Sequence, residues 1–196
     1  MENNNVKDLI SRAEAGDSES MLCLGKMYML GNSVEKNEKE AAKWLLAASE
    51  TGNTDAMCCL ALLYEIGHGV PKDAVASTKW YRIAAEAGDS TSMWKLGLRY
   101  RYGTGAERNP EEALRWIHAS IDAGNAHAMR ILATMYEDGV EVAKSPEKAA
   151  KWYTAAAKAG DGESMMRLGK MYMLGNGVEK DPAKAREWLD KAAALR

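Results

Sequence analysis

The chain has 196 residues, of which 46% are hydrophobic and 28% are charged, values that are typical of globular proteins and exclude wholesale disorder. The 26 Lys and Arg residues nearly balance the 28 Asp and Glu residues, and a net charge of −2 argues against a surface that binds nucleic acid or an anionic membrane. Three cysteines without a pairing pattern favour reduced thiols and a cytoplasmic location.

The first predicted element is a capping helix over residues 5–14, and a strict internal repeat follows it. Tryptophan, tyrosine, methionine, leucine and glycine each recur every 36 residues without an insertion or deletion. The recurring tryptophans are Trp44, Trp80, Trp116, Trp152 and Trp188. The period predicts a single repeat domain over 1–196, with repeats at 15–50, 51–86, 87–122, 123–158 and 159–194.

Each repeat contains two predicted helices. The first begins after an Asp or Asn that can cap it, such as Asp17, and ends at a glycine such as Gly31. The second begins after another capping residue and carries the recurring tryptophan. A small residue recurs inside the first helix, at Gly25 in the first repeat, and predicts close approach of two helix backbones because glycine there otherwise costs ~1 kcal/mol.

The last repeat shows the shared pattern most fully. Its residues are Ala159, Gly160, Leu168, Gly169, Tyr172, Gly175, Gly177, Val178, Asp181, Pro182, Lys184, Ala185, Trp188, Ala192 and Ala193. This pattern resembles the Sel-one-like repeat, a relative of the tetratricopeptide repeat, over roughly residues 13–194. Ser33 and Glu141 depart from it by replacing a loop glycine, and Ser77 replaces an alanine of the second helix.

The resemblance implies an all-α fold: a right-handed α-solenoid of five 36-residue helix-turn-helix repeats behind an N-terminal capping helix. It also implies a non-catalytic scaffold or adaptor for protein–protein interaction. A solenoid of this kind has a concave groove lined by the first helix of each repeat. We therefore expect the binding surface on the first helices.

The outward side of the first helices is unusually apolar. At about 100° per residue, positions 22, 26 and 29 point away from Leu24 and Tyr28, and eight of the fifteen equivalent residues are apolar. Trp94 is the one tryptophan outside the 36-residue period, and Arg residues near it give the composition of a binding hot spot. The predicted groove residues are Leu22, Cys58, Leu62, Trp94, Leu98, Arg101, Tyr102, Arg130, Met166 and Met173.

These residues predict a protein or peptide partner with apolar and some acidic character, and neither nucleic acid nor a membrane. The polar residues Asp190 and Lys191 at the end of the array favour a monomer. Two alternatives remain open: a structural module that assembles with itself, and, less favoured, a receptor for a small ligand or a peptidoglycan fragment, which would need an enclosed pocket.

Enzymatic chemistry and a cofactor are not expected. The three histidines lack metal-ligand spacing, and the adjacent pair Cys58 and Cys59 suits no zinc geometry. Ser-x-x-Lys occurs at Ser92–Lys95 and at Ser145–Lys148, but the Ser-Asp-Asn and Lys-Thr-Gly elements of a serine β-lactamase site do not accompany it.

Overall fold

The computed structural model describes residues 2–195, and this part of the chain consists of eleven α-helices without a β-strand. The helices are α1 Glu2–Glu14, α2 Ser18–Leu30, α3 Glu38–Glu50, α4 Thr54–Ile66, α5 Ala74–Glu86, α6 Ser90–Tyr102, α7 Pro110–Asp122, α8 Ala126–Asp138, α9 Pro146–Lys158, α10 Gly162–Leu174 and α11 Pro182–Ala193. The expected all-α class, with five helix-turn-helix repeats behind a capping helix, is confirmed. The capping helix begins three residues earlier than predicted.

The helices form two compact units. The first contains α1 to α6 and ends at Asn109, and the second contains α7 to α11 and begins at Pro110. Each unit has its own apolar core. In the first, Leu45, Leu60 and Leu63 are almost completely buried, and in the second Tyr153 and Leu168 are.

Side chains at the predicted capping positions start the helices. An Asp or Asn before each first helix accepts a hydrogen bond from the backbone N–H three residues further on, and the caps before four of the second helices bind backbone N–H groups in the same way. The first-helix caps are Asp17, Asn53, Asp89, Asn125 and Asp161.

The glycine positions explain how the repeats fit together. A Cβ on Gly25 would lie 2.6 Å from Cγ of Leu45, so the glycine permits α2 and α3 to approach closely, as the sequence predicts. In the loops, Ser33 and Glu141 have φ angles of 58° and 64°, close to the 68° of Gly105 at the equivalent position. The two departures from the repeat pattern therefore leave the loop conformation unchanged.

Candidate functional site

The predicted groove residues of the first unit lie on α2, α4 and α6 and differ in exposure. Leu62 is 36% exposed and Tyr102 is 63% exposed. Cys58, Trp94, Leu98 and Arg101 are half-buried, and burial raises the pKa of the Cys58 thiol. All six retain surface that a partner can contact.

The prediction that Leu22 faces outward is wrong, because this side chain is only 5% exposed. Leu22 belongs to an apolar cluster that includes Leu45 from α3 and Leu60 and Leu63 from α4. Helix α4, the first helix of the next repeat, therefore covers the side of α2 that the periodicity of α2 alone assigns to solvent.

The remaining predicted residues belong to the second unit. Met173 is 49% exposed, and Met166 and Arg130 are half-buried. The Arg130 Nε lies 3.3 Å from Oδ2 of Asp161, whose side chain also caps α10 by accepting a hydrogen bond from the backbone N–H of Ser164. A partner carboxylate would compete with Asp161 for Arg130.

A cleft of about 250 Å³ opens between α4, α5 and α6 in the first unit. Three of its lining residues are the predicted groove residues Leu62, Trp94 and Leu98, and they give it an apolar wall. Its other lining residues are Glu65, Tyr81, Lys95 and Arg99. The cleft thus combines an apolar surface with charged groups along one side.

A buried arginine neutralises the acidic group of this cleft. Arg99 is 7% exposed, and its Nη2 lies 2.6 Å from Oε2 of Glu65. The same Nη2 donates a hydrogen bond of 3.1 Å to Oγ of Ser77, and the guanidinium lies 5.4 Å from the centre of the Tyr81 ring. Charge-assisted hydrogen bonds are among the stronger ones, so Arg99 and Glu65 form a fixed pair.

Tyr81 joins the acidic and basic sides of the cleft. Its ring is completely buried, and its hydroxyl donates to Oε2 of Glu65 at 3.3 Å and accepts from Nζ of Lys95 at 3.1 Å. Burial, together with the negative charge of Glu65, raises the pKa of Tyr81 well above its usual range. The hydroxyl is therefore neutral at physiological pH and links the two charged groups.

Lys95 carries the positive charge that the cleft does not neutralise. Its ammonium group lies 5.0 Å from the centre of the Tyr81 ring and 5.7 Å from that of the Trp94 ring. No carboxylate in the described part of the chain lies within 4 Å of it. A negatively charged ligand group would meet this cation directly beside the apolar wall.

A related arrangement recurs 72 residues later, inside the second unit. The hydroxyl of Tyr153 donates to Oε2 of Glu137 at 2.6 Å, as Tyr81 does to Glu65. Arg167 stands at the position of Lys95, and its Nη1 lies 3.8 Å from Oε2 of Glu137. Here the cation lies within ion-pair distance of this carboxylate and also donates a hydrogen bond of 3.2 Å to Oε1 of Glu163 on its own helix.

Sequence reasoning missed Lys95 and Arg99 as site residues, although a signal for Arg99 was present. The position of Arg99 holds an apolar residue in the other four repeats, namely Met27, Leu63, Met135 and Met171. Ser77, its hydrogen-bond partner, likewise replaces an alanine that the other repeats share. Two departures in neighbouring repeats indicate a paired contact.

Two further properties of the described residues concern metals and membranes. Nowhere in residues 2–195 do three or more His, Cys, Asp or Glu side chains form a group that could hold a metal ion. Within the same residues, no helix has both the length and the apolar character needed to cross a membrane.

Five repeated helix pairs behind a capping helix define an all-α repeat protein of the α-solenoid class. The Sel1 repeat family matches the chain in five consecutive segments, at residues 18–53, 54–89, 90–125, 126–161 and 162–196. The chain therefore belongs to the Sel1 repeat family, as the sequence pattern indicates. No match to the chain was found among curated proteins.

Solved structures with the same fold support this assignment. A Sel1 repeat protein from Oxalobacter formigenes is 34% identical, with a TM-score of 0.87 over 92% of this chain and 74% of that one. A protective antigen of uropathogenic Escherichia coli with an SLR fold is 32% identical, with a TM-score of 0.86 over 97% of this chain. This chain spans 41% of the length of that antigen. An immunity protein from Pseudomonas aeruginosa, 20% identical, shares the fold with a TM-score of 0.64 over 97% of this chain and 71% of its own.

Proposed function

We propose that this Sel1 repeat protein is a non-catalytic scaffold that binds a partner protein through its first helices. The observation that carries the proposal is the cleft of the first unit, where Leu62, Trp94 and Leu98 form a partly exposed apolar wall. Contiguous exposed apolar surface marks interaction sites, and tryptophan is enriched among residues that dominate binding energy. The cytoplasmic location and the monomeric state expected from the sequence belong to this proposal.

The partner of this cleft is a peptide segment with an apolar side chain next to an Asp or Glu. The apolar side chain packs on Leu62, Trp94 and Leu98, and the carboxylate binds Lys95. Charge complementarity supports this choice because Arg99 already neutralises Glu65, so that Lys95 leaves the cleft with one net positive charge. A charge-assisted hydrogen bond contributes about 1.5–3 kcal/mol where it is shielded from water.

Selection from a random peptide library displayed on phage, against the full chain, provides a defined probe. The enriched peptides are expected to share an apolar residue next to Asp or Glu. A synthetic, fluorescein-labelled copy of one of them then gives dissociation constants by fluorescence anisotropy.

Two leucines of nearly equal exposure make a matched pair for this assay. Leu62 is 36% exposed on the first helix α4, and Leu46 is 38% exposed on the second helix α3. Leu62→Ser and Trp94→Ala should each weaken binding by about tenfold or more, which is the effect of a hot-spot residue. Leu46→Ser should leave the affinity unchanged.

Three outcomes would contradict the proposal. The first is a selection that enriches no peptide, and the second is an equal loss of affinity for Leu62→Ser and Leu46→Ser. The third is a stable dimer in analytical ultracentrifugation that Leu62→Ser dissociates, which would favour the self-assembling module instead.

A further inference from the structure

A comparison of the two units explains why Lys95 lacks a carboxylate partner. Glu65, Tyr81 and Lys95 in the first unit correspond to Glu137, Tyr153 and Arg167 in the second, each 72 residues further on. In both units the tyrosine hydroxyl donates to the glutamate. The two arrangements differ in the cation that contacts the glutamate.

In the first unit, Glu65 pairs with Arg99 at 2.6 Å, and Lys95 donates to the Tyr81 hydroxyl. In the second unit, the position of Arg99 is held by Met171, which carries no charge and is 3% exposed. There the cation at the position of Lys95, Arg167, lies 3.8 Å from the glutamate and 3.2 Å from Glu163 on its own helix, where the first unit has Thr91.

We propose that Arg99 is a positioning residue that sets the acid preference of the cleft, because it occupies Glu65 and so leaves Lys95 available to a ligand carboxylate. This inference rests on the proposed function, since it concerns the ligand of the same cleft. Arg99 itself is buried beneath Tyr81 and Ser77 and acts through Glu65.

The electrostatic reason is that Glu65 and Lys95 both contact the Tyr81 hydroxyl. Without Arg99, the carboxylate of Glu65 would have no cation other than Lys95 among the groups that line the cleft. Opposite charges a few ångströms apart attract strongly in a partly desolvated site. Lys95 would then turn to Glu65, as Arg167 does to Glu137, and the cleft would lose its net positive charge.

The chain itself supplies a variant that is compatible with the fold. Ser77 and Arg99 correspond to Ala149 and Met171 in the second unit, where both residues are buried. The double variant Ser77→Ala/Arg99→Met therefore copies a pair that already packs in one apolar cluster of the second unit, and circular dichroism checks that the helices are retained.

The measurement is the ratio of two dissociation constants. The selected fluorescein-labelled peptide is made in two forms, with Glu or with Gln at its acidic position. The wild-type 196-residue chain should bind the Glu form about tenfold more tightly, as expected for one charge-assisted hydrogen bond. In Ser77→Ala/Arg99→Met the preference should fall to about twofold or less, because Lys95 is then paired with Glu65.

A rescue variant separates positioning from a merely structural effect. Adding Glu65→Gln to the double variant removes the carboxylate that captures Lys95, and the acid preference should return. A preference that persists in the double variant, or one that Glu65→Gln fails to restore, would overturn the inference. If the double variant does not fold, two single variants provide the test. Lys95→Met must abolish the preference for the Glu form of the peptide, and Glu65→Gln alone must preserve it. Any other result contradicts the inference.

The two proposals fail in different ways. If wild type binds neither peptide form, the proposed function itself is refuted. If wild type prefers the Glu form, Lys95→Met loses that preference and Ser77→Ala/Arg99→Met keeps it, only the role of Arg99 is refuted.

Discussion

Replacing Gly105 by alanine should destabilise the protein far more than the same change at Gly52. Both glycines have a positive φ, 68° at Gly105 and 93° at Gly52, so alanine is strained at both positions. A Cβ on Gly105 would lie 1.9 Å from the carbonyl oxygen of Ala74 and 2.6 Å from Oγ1 of Thr78, whereas a Cβ on Gly52 meets no atom within 4 Å. Only the first change therefore forces the loop that follows α6 away from α5.

The expected magnitudes follow from these contacts. The left-handed conformation costs an L-residue about 1–2 kcal/mol, and this should be the whole effect of Gly52→Ala. Overpacking adds about 1–3 kcal/mol, so Gly105→Ala should lose about 2–5 kcal/mol of the free energy of unfolding. The first and fourth repeats carry Ser33 and Glu141 with nearly the same φ as Gly105, which shows that this backbone angle alone is tolerated.

Urea unfolding followed by circular dichroism measures both variants. With a slope of about 1–3 kcal/mol per molar urea, the additional loss in Gly105→Ala moves its midpoint below that of Gly52→Ala by about 1 M. Equal midpoints for the two variants would refute the reasoning, because they would mean that the close approach to α5 costs nothing.

Two further predictions concern buried polar groups. Burial and the neighbouring glutamates raise the pKa of both Tyr81 and Tyr153. Their neutral hydroxyls therefore stabilise the fold below pH ~10, and this stabilisation is lost as the pH rises further. In an ultraviolet titration at 295 nm, two of the eight tyrosines should ionise only when the protein unfolds, and titration of all eight together near pH 10 would contradict this. Asp161→Ala removes the cap of α10 and the ion pair with Arg130, whereas Asp161→Asn removes only the ion pair, so the first should cost about 1 kcal/mol more in thermal unfolding, and equal losses would exclude capping as a cause.

The repeat architecture could be predicted from the sequence because its signals are local. Caps such as Asp17 and helix-ending glycines such as Gly31 act within a few residues of the chain, and both were placed correctly. The burial of Leu22 could not be predicted in this way, because it depends on α4, which belongs to the next repeat.

The candidate site was predicted only in part, for the same physical reason. The surface positions of Leu62, which is exposed, and Trp94, which is half-buried, follow from the periodicity of their own helices. The contacts of Arg99 with Glu65 and Ser77 join three different helices, and a pattern read along one helix does not contain them. Arg130 was likewise expected to face a ligand, and its pairing with Asp161 comes from the following repeat.

The most direct test of the central claim is to locate the bound peptide by photo-crosslinking. The selected peptide carries benzophenone in place of its apolar side chain, and mass spectrometry identifies the crosslinked residues of the 196-residue chain. Binding in the cleft predicts crosslinks on α4 and α6, at or beside Leu62, Trp94 and Leu98. Crosslinks confined to the second helices, such as the segment around Leu46, would contradict the claim that the first helices hold the partner.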